Sequence, residues 1–146
     1  MLIDKNNIPI VAMEFMNDVH GEDIDIINSL FELIVNYEQN PSEENKITFN
    51  QTYQEWIEHT MAHFQREEKM MEEKRFPPYP FHKGEHDRAL EKMHDIFHTW
   101  EKTNDIGILK IYFIEELPLW LENHIKSMDT VTAIFFRTGL SPCAIH

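Results

Sequence analysis

Apolar residues recur along the chain at steps of three and four, the period of an amphipathic helix, in four separate stretches. The first stripe is His20, Ile24, Ile27, Phe31 and Ile34, predicting a helix that begins near Asn17 or Asp18, either a suitable cap, and runs to about Tyr37. Asn40-Pro41-Ser42 closes it. A second helix from about Ser42 carries Phe49, Tyr53, Trp56, Thr60, His63, Phe64, Glu67 and Met71 on one stripe. Phe76-Pro77-Pro78-Tyr79-Pro80 cannot be regular helix and reads as a stiff connector. The third helix opens near Phe81, with His82 and His86 one turn apart and then Leu90, Met93 and Phe97. Thr103-Asn104-Asp105 caps a fourth, whose inward row is Phe113, Ile114, Leu117, Trp120, Leu121, His124, Ile125 and Met128.

Four such helices with short connections predict an all-α, up-down-up-down four-helix bundle over about residues 17–130. A Pro9-containing N-terminal arm precedes it and a short C-terminal extension follows. The 146 residues fit one domain, 1–146. Pro118 predicts a kink one to two turns before His124. Beyond Asp129, the segment through Ile134-Phe135-Phe136 to Pro142 reads either as a last helical turn on the bundle or as a contact for a second subunit.

Charge narrows the partners. With 26 acidic and 13 basic residues, a formal charge of -13 repels nucleic acid and anionic membrane. The single Cys143 cannot form an internal disulfide. The first ten residues hold Asp4, Lys5 and two asparagines where a signal peptide needs an apolar run, and no stretch reaches membrane-spanning length. The expected location is the cytoplasm. No repeat at solenoid or propeller periods and no low-complexity segment is found.

Candidate chemistry lies in four packets: His20; His63 with Glu67; His82 with His86; His124 with Asp129. Side chains at i and i+4 project from one side of a helix, so His82/His86 and His63/Glu67 can each close on one metal. Singly, each packet also reads as exposed or hydrogen-bonded residues. Together, titratable groups on four otherwise apolar stripes would be costly to bury without a shared cation. Imidazole with carboxylate suits iron, copper or zinc, and two bridging carboxylates with mostly histidine ligands favour a pair of irons. Spacing alone does not select Asp129, since five residues turn about 140° round an ideal helix from His124. His59, His94, His98 and His146 carry no predicted role.

The arrangement resembles the hemerythrins, and among them the single-domain bacteriohemerythrins. The likeness rests on His63-Phe64-Gln65-Arg66-Glu67, on the paired His82 and His86, and on Trp120-Leu121 followed by His124-Ile125 and then Asp129, within roughly residues 10–130. It implies a hydroxo- or oxo-bridged pair of non-haem irons. His82, His86 and His124 would hold one, His20 and His63 the other, and Glu67 and Asp129 would bridge them. Dioxygen would bind reversibly at the open position of the second iron, for storage, delivery or scavenging rather than catalysis. Phe64, Trp120, Leu121 and Ile125 would wall a dry oxygen pocket. Partners implied are dioxygen and an oxygen recipient or reductase, with the protein a monomer or weak homo-oligomer. Val19, directly before His20, stands where many relatives carry a polar residue, so support for that ligand is expected to differ.

Rival readings use the same residues differently. A ferritin-like di-iron enzyme needs two Glu-x-x-His motifs, and only Glu91-Lys92-Met93-His94 matches. Peroxidase-like or nitric-oxide chemistry at the same site, and oxygen sensing through a separate partner protein, are the alternatives.

Overall fold

The computed structural model describes residues 1–139. After a short 3-10 turn, Lys5–Asn7, come α1 (Glu14–Gln39), α2 (Glu43–Glu73) and α3 (Tyr79–Thr103). The fourth rod is composite: α4 (Ile106–Ile111), a π turn (Tyr112–Glu116), α5 (Leu117–His124), a second π turn (Ile125–Asp129) and α6 (Thr130–Thr138). α1 packs on α2, α2 on α3, α3 on α4, and α4 back on α1, closing an all-α four-helix bundle.

The ends follow local chemistry. Ser42 Oγ accepts the Asn45 amide at the start of α2, and Asp105 Oδ1 accepts that of Gly107 at the start of α4. Asn104 ends α3 in the left-handed conformation that asparagine tolerates. Two starts differ from the sequence expectation. α1 begins at Glu14 because Asn17 does not cap it; its amide instead bonds both the N–H and the carbonyl of Val11, lashing the arm to the first turn. α3 begins at Tyr79, since Pro80 fits a first helical turn, where the missing N–H has no intrahelical partner to lose.

Burial follows the predicted stripes on α1 to α3, with Ile24, Ile27, Ile34, Phe49, Tyr53, Trp56, Met71, Met93 and Phe97 in the core. Tyr53 lies at its centre, its hydroxyl donating to the Met93 carbonyl and its ring 5.2 Å from that of Trp56. The fourth rod departs from its stripe at Ile114, predicted inward but exposed, because the π turn Tyr112–Glu116 rephases the helix there. That turn closes with the Leu117 N–H on the Tyr112 carbonyl and ends just before Pro118, which sits in the first turn of α5. α6 packs onto the bundle through Ala133 and Phe136, with the Phe135 ring 4.8 Å from Phe76, so 130–138 takes the first of its two predicted roles. Pro142, Cys143 and His146 lie outside the described residues. Among those described, no helix is long and apolar enough to cross a membrane.

Asn17→Ala removes two hydrogen bonds to the arm and is expected to cost about 1–3 kcal/mol, whereas Asp18→Ala, at an exposed non-capping position, should be within about 0.5 kcal/mol of the parent. Urea denaturation checks this. Comparable losses in both variants would restore the helix start near residue 17.

Candidate metal centre

The core stripes place a polar cluster where apolar residues would otherwise meet. His20 on α1, His63 and Glu67 on α2, His82 and His86 on α3, and His124 and Asp129 on the fourth rod converge. Glu67, His82 and His86 have no exposed surface, and His20, His124 and Asp129 are buried. Their donor atoms form two groups able to hold a metal ion, one of His82, His86, His124 and Asp129, the other of His20, His63 and Glu67.

The carboxylates divide between the groups oxygen by oxygen. Asp129 Oδ1 lies 3.0 Å from His82 Nε2 and 3.1 Å from His124 Nε2, while its Oδ2 lies 2.8 Å from His20 Nε2. Glu67 Oε1 lies 3.4 Å from His82 Nε2 and 3.5 Å from His86 Nε2, while its Oε2 meets His63 Nε2. Donors about 2.1 Å from a common ion stand about 3 Å apart when they occupy neighbouring corners. Hydrogen bonding does not account for the first group: His82, His86 and His124 Nε2, Glu67 Oε1 and Asp129 Oδ1 are all buried without a hydrogen-bond partner. So many orphaned donors facing one another fit a cation.

The outer ring nitrogens fix which atom faces inward. His82 Nδ1 is 2.7 Å from Thr132 Oγ1, His86 Nδ1 2.9 Å from Glu68 Oε2, and His124 Nδ1 3.1 Å from Glu85 Oε1. A proton held on Nδ1 leaves the Nε2 lone pair for a metal. Thr132, Glu68 and Glu85 were not picked out as positioning residues from sequence, since each acts at the far side of a ligand ring and none falls on a ligand-spaced motif. Glu68 and Glu85 adjoin the ligand candidates Glu67 and His86, which is the only signal they carry. His20 Nδ1 is buried with no hydrogen-bond partner.

Asp129 reaches the cluster because of backbone geometry. The turn Ile125–Asp129 is π, closing i to i+5, so two residues five apart share a face that an α-helix would deny them. The Thr130 hydroxyl takes up the Ile125 carbonyl within that widened turn.

Phe64 stacks on His86 at 3.8 Å with rings parallel to 1°, and Trp120 stacks on His124 at 4.6 Å. A cavity of about 570 Å³ reaches the cluster from the surface, lined by His20, His63, Phe64, Trp120, Leu121 and His124 at its inner end. Ile125, although fully buried, is not part of that lining. His94 and His98 are exposed. His59 is half-buried and belongs to neither metal group.

Without metal, the groups lean on one another. Burial pushes Glu67 up and the Asp129 charge adds to that, yet His63 and His82 outweigh both and hold it at about 2. Asp129 is held well below the usual carboxylate range against its burial, chiefly by His124. Burial lowers His124, but the Asp129 charge prevails and lifts it to about 10. His63 and His82 are also raised despite burial, by Glu67 and by Asp129 respectively. His86 is lowered, by burial first. Protons thus stand in for a cation, and only in part.

Fold and site together define a class of protein, a helical bundle with a buried histidine and carboxylate centre able to take metal ions. The chain belongs to the hemerythrin family, whose model, described as a hemerythrin HHE cation binding domain, matches residues 12–133. It is 29% identical to a bacteriohemerythrin of Aquifex aeolicus over 133 residues, 91% of this chain and 96% of that one. It is 32% identical to a bacteriohemerythrin of Ralstonia nicotianae over 74 residues, 51% of this chain and 53% of that one. No solved structure gives a significant match.

Two outcomes are expected. Because His124, His63 and His82 have raised pKa values in the metal-free fold, a metal must displace protons near neutral pH. Affinity should therefore rise with pH, toward the value of about 10 for His124, and calorimetry in buffers of different ionisation enthalpy should register proton release. Glu68→Ala frees the outer nitrogen of His86 and should weaken metal binding by about 10–100-fold in a chelator competition. An unchanged affinity would remove Glu68 from any positioning role.

Proposed function

We propose that the chain binds two iron ions and holds dioxygen reversibly, as a store, carrier or scavenger rather than as an enzyme. The observation that carries this is the division of Glu67 and Asp129, each with one oxygen toward either histidine group. In this reading both carboxylates would serve both ions. His82, His86 and His124 with two carboxylate oxygens give five protein donors to one ion; His20 and His63 with the other two oxygens give four. The ion held by His20 and His63 would thus have fewer protein donors and would be the one left able to take dioxygen. The bound iron pair supplies the two electrons that make the attachment of dioxygen favourable yet reversible.

The chain's own residues then keep that free position usable. The cavity touches both histidines of the His20/His63 group and, of the three-histidine group, His124 but not His82 or His86, so the ion with fewer ligands would be the more open to it. Phe64, Trp120 and Leu121 present apolar surface there and limit the water and protons that would convert the centre irreversibly to the ferric form. The histidine-rich donor set, with no second Glu-x-x-His motif, argues against ferritin-like oxidase chemistry. The likeness to two bacteriohemerythrins supports the oxygen-binding reading.

Anaerobic loading with ferrous iron, followed by cycles of oxygen and vacuum under optical monitoring, tests the proposal. Repeated reversal with about two irons per chain is expected; a single irreversible oxidation would overturn reversible binding. His82→Ala should lose iron while His98→Ala keeps it, as measured by metal analysis, and equal losses would mean that the ligand assignment is wrong. Leu121→Ala should hasten ferric conversion more than it weakens iron binding, and an unchanged rate would remove its shielding role.

A further inference from the structure

The inner end of the cavity holds one acidic side chain that the metal groups do not use. Asp23 lies on α1 one turn after His20 and lines the cavity together with His20, Trp56 and His63. Its Oδ1 accepts from Trp56 Nε1 at 3.2 Å, which fixes the carboxylate. Its Oδ2 makes no hydrogen bond, and unlike Thr60 Oγ1 in the same wall it is not sealed off but keeps accessible surface. Protein surrounds Asp23, yet the residue is only half-buried, as befits a side chain that borders a cavity. It is not one of the metal donors, since the nearer group consists of His20, His63 and Glu67.

The charges around it are uneven. Asp129, the other carboxylate at the inner end, is engaged by histidines through both oxygens. At the mouth, exposed Arg88 and Lys92 from α3 face exposed Glu115 and Glu116 from the fourth rod, and Lys92 pairs with Glu116 at 3.6 Å. Those four charges cancel, so the mouth is balanced and the inner end is not. Burial raises Asp23 above the ordinary aspartate range, and His63, His59, the Trp56 indole and His20 pull it back. Divalent ions held by His20 and His63 would favour its charged form further. A second anion entering would then meet a like charge across a wall of low dielectric, whereas a neutral molecule would not.

We propose that Asp23 sets the ligand specificity of the cavity, its carboxylate keeping small anions of the azide and cyanide class off the metal while leaving neutral diatomic gases unhindered. This rests on the oxygen-binding reading above and adds to it the group that selects among ligands small enough to enter.

The test sets azide binding to the diferric protein against nitric oxide binding to the diferrous protein, with iron content measured in each variant. Asp23→Asn keeps an acceptor for Trp56 Nε1 and removes the charge, so azide affinity should rise about 10-fold while nitric oxide stays within about 2-fold. Glu22→Gln removes the same charge one residue away on the exposed face of α1 and should change azide affinity by less than about 2-fold. If Asp23→Asn misfolds, Asp23→Ala must show the same rise in azide relative to nitric oxide. The proposal is overturned if that ratio is unchanged, if Glu22→Gln raises it equally, which would make it a property of net charge, or if Asp23→Asn loses iron, which would make Asp23 a ligand. A parent protein that takes up no iron overturns the oxygen-binding reading as well. One that binds oxygen reversibly, with azide unaffected by Asp23→Asn, overturns this inference alone.

Discussion

Taking Glu67 and Asp129 out of water costs several kcal/mol per ion unless an opposite charge and further donors compensate. In this bundle the compensation comes from five imidazoles that reach the same point from all four rods. The metal-free balance is incomplete: His124 is strongly raised, His86 is lowered, and several inward atoms have no partner. Under the proposed function, a pair of divalent cations would resolve this at once, since each carboxylate and each Nε2 lone pair would then have something to face. Without a metal, the core is held by partial protonation and by the apolar packing around Tyr53 and Trp56.

The apolar period in the sequence was enough to read the four stripes and therefore the bundle, because burial on one helix face is what generates that period. His20, His63, His82 and His86 were legible as inward residues for the same reason. Asp129 was not, from spacing, because a five-residue step misses the core face in an α-helix, and only family resemblance pointed to it. The π turn supplies the reason, and it has no sequence signature beyond the awkward spacing. Ile114 is the same effect in reverse: Pro118 predicts a kink, yet the inward row counts Ile114 at the α-helical period, and the π turn before that proline moves it outward.

What the sequence concealed is interaction at the far side of the ligands. Glu68, Glu85 and Thr132 meet ring nitrogens across helices, at separations of 18, 39 and 50 residues. On a helix each would pass for an ordinary surface or core position. The cavity was hidden likewise, because Asp23 reads as one more solvated acid beside Glu22 and Asp25 until its carboxylate is found in the cavity wall against the Trp56 indole.

The two halves of the cluster are built unequally, and the inequality has a direction. On the three-histidine side every ring is held by a second partner, and Phe64 and Trp120 press on His86 and His124. On the other side His20 lacks a partner for its outer nitrogen, and both His20 and His63 border the cavity, where the three-histidine side contributes His124 alone of its rings. A ligand ring tied at both nitrogens resists reorientation; one tied only through the metal can adjust as the coordination of that metal changes. Under the proposed function, the three-histidine side would anchor one ion while His20 adjusts as the other ion exchanges a ligand. The two π turns stand at different places in this arrangement, one bringing Asp129 to the face that joins the halves and the other lining the cavity through Tyr112, Glu115 and Glu116.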